Sequence, residues 1–166
     1  MIKLIIDKLK RIIVSRKKLE QILNVKITNR GKEVYINGKP EDEYISQKVI
    51  EALDFGFPFS TAVLIKEQDF EFEILNIKNY TKKHNLKTIR ARIIGTKGKT
   101  LKTLSTLTQC FFELKDNELA IIGDPEHIEN AQQAIISLVQ GSKTTNVYSH
   151  LEKHQPQPID DLGLKE

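Results

Sequence analysis

The chain has 166 residues, 39% of them apolar and 29% charged, with a net charge of +4 and a pI near 9.0. That balance fits one medium globular domain or two small ones and excludes a disordered chain. A single cysteine, Cys110, leaves no internal disulfide and no cysteine zinc cluster, and no apolar run approaches the roughly 18 residues of a membrane span. Ile2–Ile6 is too short, and too soon followed by charge, for a secretory signal, so a reducing, cytoplasmic compartment is expected. The basic excess suits a polyanionic partner.

The chain repeats itself. At an offset of 85, Val14–Gly56 aligns with Lys99–Gly141 without a gap, with eleven identities over 43 positions. Composition alone gives about three. Gly38-Lys39-Pro40-Glu41 falls on Gly123-Asp124-Pro125-Glu126, and Leu19, Ile36, Ile50, Leu53 and Gly56 fall on Leu104, Ile121, Ile135, Leu138 and Gly141. In the first copy, a short helix carrying Leu19 and Ile22 leads to a strand at Val25–Asn29. A turn over Asn29-Arg30-Gly31-Lys32 returns the chain in a second strand, Glu33–Ile36, and Gly38-Lys39-Pro40 opens a long helix.

The second copy starts with a strand over Phe70–Ile77, where Phe70, Phe72 and Ile74 alternate with Glu71 and Glu73 to give one apolar face. Two short helical patterns follow, joined by Gly95-Thr96-Lys97-Gly98. Glycine lets a backbone approach another surface because no Cβ stands in the way. A tight turn with two glycines beside Lys97, Lys99 and Lys102 is what a sugar–phosphate backbone requires. Gly98-Lys99-Thr100 mimics the end of a nucleotide-binding P-loop, but that motif needs a glycine where Ile93 stands. Lys87–Arg92 also carries charges where a buried parallel strand is apolar, so the ATPase reading is rejected.

Beyond the turn, Leu101, Leu104 and Leu107 form a helical stripe, and strands are predicted at Cys110–Leu114 and Glu118–Ile122 around a Lys115-Asp116-Asn117 turn. Asp124 suits an N-cap and Pro125 the first turn of a helix whose Ile128, Ala131, Ile135, Leu138 and Val139 share one face. The order is strand, helix, helix, strand, strand, helix, with Gly-x-x-Gly between the helices. It resembles the eukaryotic-type (type I) KH domain, whose GXXG loop clamps single-stranded nucleic acid.

The resemblance narrows further. Ile89–Thr100, Ala120-Ile121-Ile122-Gly123-Asp124, Gly56–Ala62, and Gly141 followed by Val147-Tyr148-Ser149-His150-Leu151-Glu152-Lys153 are similar to the archaeal relatives of the Dim/Pno (partner-of-Nob) family of small-subunit ribosome assembly factors. The resemblance implies an α+β fold of two tandem type I KH domains (β-α-α-β-β-α), each a three-stranded antiparallel sheet on three helices. The implied units are residues 1–66 without a Gly-x-x-Gly, 67–154 with the Gly95–Gly98 loop, and a flexible tail from 155 to 166. It also implies binding to the 3′ region of small-subunit rRNA, beside a Nob-type endonuclease and the α subunit of translation initiation factor two.

The ten candidate RNA-binding residues are Arg90, Arg92, Ile94, Gly95, Thr96, Lys97, Gly98, Lys99, Leu101 and Lys102. Lys97 lies inside the turn. Arg92 serves either RNA or an ion pair with Glu113 or Asp116. Ile94 and Leu101 are expected to floor a groove for about four bases beside the Cys110–Leu114 strand, with Leu104 beneath them in the core. Phe111 is either a stacking platform or a contact with the first unit. At the same offset Gly95 and Gly98 fall on Lys10 and Ile13, so the first unit is expected to hold no RNA through a loop, with Ile12 and Ile13 keeping a phosphate backbone away. It then braces the second unit or docks protein. His150 and His154 have ligand-like i, i+4 spacing but nothing to complete a metal site. Cys110 is expected to be buried and inert. No catalytic dyad or triad is present in the pattern, so neither an enzyme nor a cofactor is expected.

Overall fold

The computed structural model describes residues 1–155; the tail expected at 155–166 lies, from 156 on, outside the described residues. The first half runs β1 (Ile2–Ile5), α1 (Leu9–Val14), α2 (Arg16–Leu23), β2 (Lys26–Arg30), β3 (Glu33–Asn37) and α3 (Pro40–Phe55). Its antiparallel sheet has the order β1-β3-β2. Two single-turn helices, α4 (Phe59–Ala62) and α5 (Leu64–Glu67), lead to the second half. There β4 (Glu71–Asn76), α6 (Leu86–Ile94), α7 (Lys99–Thr108), β5 (Phe111–Lys115), β6 (Glu118–Gly123) and α8 (Pro125–Val139) repeat the same connectivity, with the sheet order β4-β6-β5.

The offset of 85 is physical. From α2 onward the elements of the two halves correspond one to one, down to their turn residues. Asn24 and Gln109 both end a helix in the left-handed region at φ 56°, and Gly31 and Asp116 do the same in the hairpin turns at φ 59° and 52°. Upstream the offset changes. Ile2 pairs with Ile36 and Glu73 with the equivalent Ile121, an offset of 71, so the second half carries 14 additional residues between its first strand and second helix. Those residues include a 3-10 turn at Ile77–Tyr80, a longer α6 and the Gly-x-x-Gly turn.

The helix starts follow their sequences. Pro40 and Pro125 occupy the first turns of α3 and α8, and the Asp124 carboxylate accepts the Glu126 N–H at 2.9 Å. Each sheet buries one face under its own helices. Leu19, Ile36, Ile50 and Leu53 form the first core, and Ile93, Leu104, Ile121 and Leu138 the second.

The second sheet is buried on its other face as well. Along β6, Leu119 and Ile121 point to their own helices while Ala120 and Ile122 join the first half's core, so a continuous apolar run reads as a strand covered on both sides. The apolar face expected on the first strand of this copy is turned the same way. Phe72 packs edge-on against Phe57 (centroids 6.1 Å apart, planes at 82°), while Leu75 and Ile77 serve the strand's own helices and Ile74 is 42% exposed. The expectation of three helices per unit is corrected by α4, α5 and an added helix, α9 (Thr144–Lys153). Val147 and Leu151 seat α9 in the second core, which gives Val147–Lys153 a structural purpose. Among the described residues no helix is long and apolar enough to cross a membrane.

Candidate nucleic-acid interface

The turn between α6 and α7 carries three positive φ angles in four residues: Gly95 at 76°, Lys97 at 55° and Gly98 at 74°. Its two glycines are needed for different reasons. A Cβ on Gly95 would stand 2.8 Å from the Thr100 backbone nitrogen and collide with the Thr100 side chain, so this position is glycine for internal packing. A Cβ on Gly98 would meet nothing within 4 Å. Gly98 is therefore bare backbone presented outward, and its N–H closes the turn on the Gly95 carbonyl at 3.2 Å. Lys97 adopts the left-handed conformation without glycine's freedom, at a cost of about 1 kcal/mol, which is the kind of local strain that collects at binding sites. Gly98 also stands at the N-terminus of α7 with no side-chain cap; the Lys99 N–H is taken by the Thr96 carbonyl, and the positive end of the helix dipole lies at the turn.

The side chains sort into two groups. Thr96, Lys97, Lys99 and Lys102 are exposed around the turn, Ile94 is 38% exposed beside it, and Leu101 is half-buried. Leu104 is fully buried and belongs to the core. The arginines face elsewhere. Arg90 donates to the Asn117 side-chain oxygen at 2.9 Å and ties α6 to the β5–β6 turn. Arg92 donates to the Leu138 carbonyl at 2.7 Å and to the Ser142 carbonyl, where it caps the end of α8. The ion pair with Glu113 or Asp116 expected as one alternative for Arg92 is thus corrected: the guanidinium meets two carbonyls instead. Its cation compensates the C-terminus of α8.

A groove of about 400 Å³ opens next to Gly98. One wall is α7, with Leu101, Lys102 and Ser105; the floor is the edge strand β5, with Phe111, Phe112 and Glu113. The opposite wall comes from the first half, as Phe57, Pro58 and Thr61. Phe111, 39% exposed, lines this groove together with residues of the first half. The Arg11 guanidinium fixes this corner by donating to the Phe57 carbonyl at 2.7 Å. Burial pushes the Glu113 carboxyl above the usual carboxylate range, against the opposing pull of Lys8 and Arg11. The sequence points to Gly56-Phe57-Pro58 as a distinctive corner, but nothing local says that it walls a groove 40 residues downstream.

The first half has no counterpart to this turn. Ser15 alone joins α1 to α2, at φ −102° and ψ 8°. Ile12, expected to hold a backbone off, is instead 1% exposed in the core, whereas Ile13 and Val14 are 46% and 76% exposed. Cys110 is buried, with its thiol pushed up to about 11 by burial, and it is not a nucleophile at neutral pH. His150 and His154 stack with ring centroids 4.3 Å apart, and among the described residues no group of three or more potential ligands could hold a metal.

Residues 71–156 match the family model of the eukaryotic-type KH domain (KH-domain type I). The pre-rRNA-processing protein PNO1 of Candida albicans is 31% identical over 146 residues, covering 84% of this chain and 52% of that protein. A KH domain-containing protein of Methanocaldococcus jannaschii is 24% identical over 147 residues, covering 84% and 65%. The chain thus spans between about half and two thirds of the length of these curated relatives. Among solved structures, Dim2p from Pyrococcus horikoshii superimposes with a TM-score of 0.84 at 27% identity, covering 92% of this chain and 98% of that one. The a/eIF2alpha–aDim2p–rRNA complex from the same organism gives 0.83 at 27%, covering 93% of each chain.

Proposed function

The chain belongs to the Dim/Pno family of KH-domain proteins, and from that premise we propose that it binds single-stranded rRNA during small-subunit biogenesis, without catalysing a reaction. The strand's backbone lies across Gly95–Gly98, and its bases face Ile94, Leu101 and the β5 edge. The observation that carries this reading is Gly98. It is a backbone position open to close approach, next to an uncapped helix N-terminus and ringed by Lys97, Lys99 and Lys102. Phosphate contacts supply most of the affinity, and strand-edge hydrogen bonds supply the sequence preference.

The chain divides as two tandem KH domains, 1–66 and 67–154, of which the first has lost its loop and braces the second through the shared core. The target is the 3′ region of small-subunit rRNA near its maturation site, where the protein would hold the end for a Nob-type endonuclease in the cytoplasm. The pre-rRNA-processing relatives support that setting, and the solved complex of a neighbour with rRNA and a/eIF2alpha supports an initiation-factor partner. A second reading, in which the KH folds serve mainly as protein-docking surfaces, draws on the exposed Ile13 and Val14 at the α1–α2 junction. Quantitative binding to the 3′-terminal segment of small-subunit rRNA, compared with scrambled strands at two salt concentrations, separates the two. Preference for the native strand with steep salt dependence supports the RNA reading; equal, negligible binding to all strands overturns it.

A further inference from the structure

The groove contains one group that a polyanion-binding surface does not explain. Glu113 lines it at the floor, facing the first half, and no hydrogen bond or ion pair reaches its carboxylate among the described residues. Lys8 is close by: its Nζ would lie 3.6 Å, and Glu113 Oε2 3.8 Å, from a Cβ placed on Gly56, yet the two groups do not pair with each other. Arg11, the other nearby cation, is committed to the Phe57 carbonyl. An unpartnered, partly desolvated carboxylate repels every phosphate that passes, so in a groove used only for backbone contacts it weakens binding.

A nucleobase resolves the conflict. An ionised carboxylate has two acceptor oxygens and no donor. Guanine offers two parallel N–H donors on its Watson–Crick edge, cytosine and adenine each offer an amino group, and uracil offers a single N–H between two carbonyl oxygens that a carboxylate repels. Phe111 supplies a half-exposed aromatic face at the same place, and Phe57 and Pro58 close the far side with apolar surface. The volume of about 400 Å³ lies within the range of ligand-sized sites.

We infer that Glu113 is a base-selecting residue: in a seat shared between the two halves it accepts hydrogen bonds from a nucleobase bearing an exocyclic amino group, guanine ahead of cytosine and adenine, and rejects uracil. This rests on the RNA reading above and adds to it the specificity of one position. It also gives the first half a part in recognition that needs no loop of its own, since Phe57, Pro58 and Thr61 shape the seat.

The test compares short uracil strands carrying one central guanine, cytosine, adenine or uracil, against wild type, Glu113→Gln and Glu113→Ala. Wild type is expected to bind the guanine strand about tenfold tighter than the all-uracil strand. Glu113→Gln presents a donor as well as an acceptor, so it is expected to shrink that ratio to about twofold or reverse it, with all-uracil affinity rising as the negative charge goes. Glu113→Ala is expected to lose the preference and to show the same rise. If the wild-type ratio persists in both variants while the strands still bind, the base-selecting role is overturned and the RNA reading stands. If wild type binds none of the strands, both fall.

Discussion

The two helix–helix junctions occupy equivalent places in a duplicated fold and differ in almost every physical respect. At Ser15 the chain passes from α1 to α2 through one residue, with Ile12 sunk in the core and Ile13 and Val14 left outside. At Gly95–Gly98 it takes four residues, three with positive φ, and leaves one backbone position bare. The fold tolerates either junction, because the helices pack on the same sheet in both halves. What the added residues of the second half supply is access for a ligand and not stability. The two sheets differ in a matching way. The first exposes its outer face, where Glu33 pairs with Lys3 at 3.0 Å and accepts from the Tyr35 hydroxyl at 2.6 Å. The second has its outer face covered by the first half, which leaves the β5 edge and its groove as the open side.

Five variants break or sharpen this comparison. The largest effect is expected from Gly98→Asp, which puts a like charge where a phosphate lies and lowers RNA affinity by roughly a hundredfold. Its Cβ points into open space, so the fold survives at a backbone cost of about 1–2 kcal/mol, readable as a small fall in melting temperature. Gly95→Ala reverses the pattern. Its Cβ meets the Thr100 backbone and side chain, so denaturant titration is expected to show a loss of about 2 kcal/mol or more.

Lys97→Gln is smaller. It weakens every strand a few-fold and lowers the slope of log affinity against log salt by about one unit. Arg92→Gln leaves that slope unchanged and lowers stability instead, because its guanidinium caps α8. The smallest effect belongs to Lys10→Gly with Ile13→Gly, which writes Gly-x-x-Gly into α1. RNA affinity is expected to stay equal to or below that of wild type, since glycines alone restore neither the missing residues nor the groove. A large gain would mean that the first junction fails only for want of glycine.

Much of the fold was legible in the chain. The periodicities of Leu101-Leu104-Leu107 and of the α8 stripe, the Asp124-Pro125 start and the internal offset located the elements to within a residue or two. The turn was legible too, because Gly-x-x-Gly with lysines is a local pattern. What escaped, besides α4, α5 and α9, was tertiary. The Phe70-Phe72-Ile74 alternation announces one buried face but cannot say that the first half covers Phe70 and Phe72 and leaves Ile74 exposed. The charge of Arg92 is the same whether it meets a carboxylate or two carbonyls, and only the position of the α8 end decides. Lys97 shows no sequence sign of its left-handed backbone. The far wall of the groove comes from Phe57-Pro58-Thr61, whose proximity to Gly98 exists only once the halves have docked.

The most direct measurement is amide chemical-shift mapping of the full chain while a short single strand of rRNA is titrated in. The account expects the largest perturbations at residues 95–102 and 111–113, with a weaker response at 57–61 and silence at 10–17. Perturbations centred on 10–17, with the glycine-bracketed turn unmoved, would contradict it.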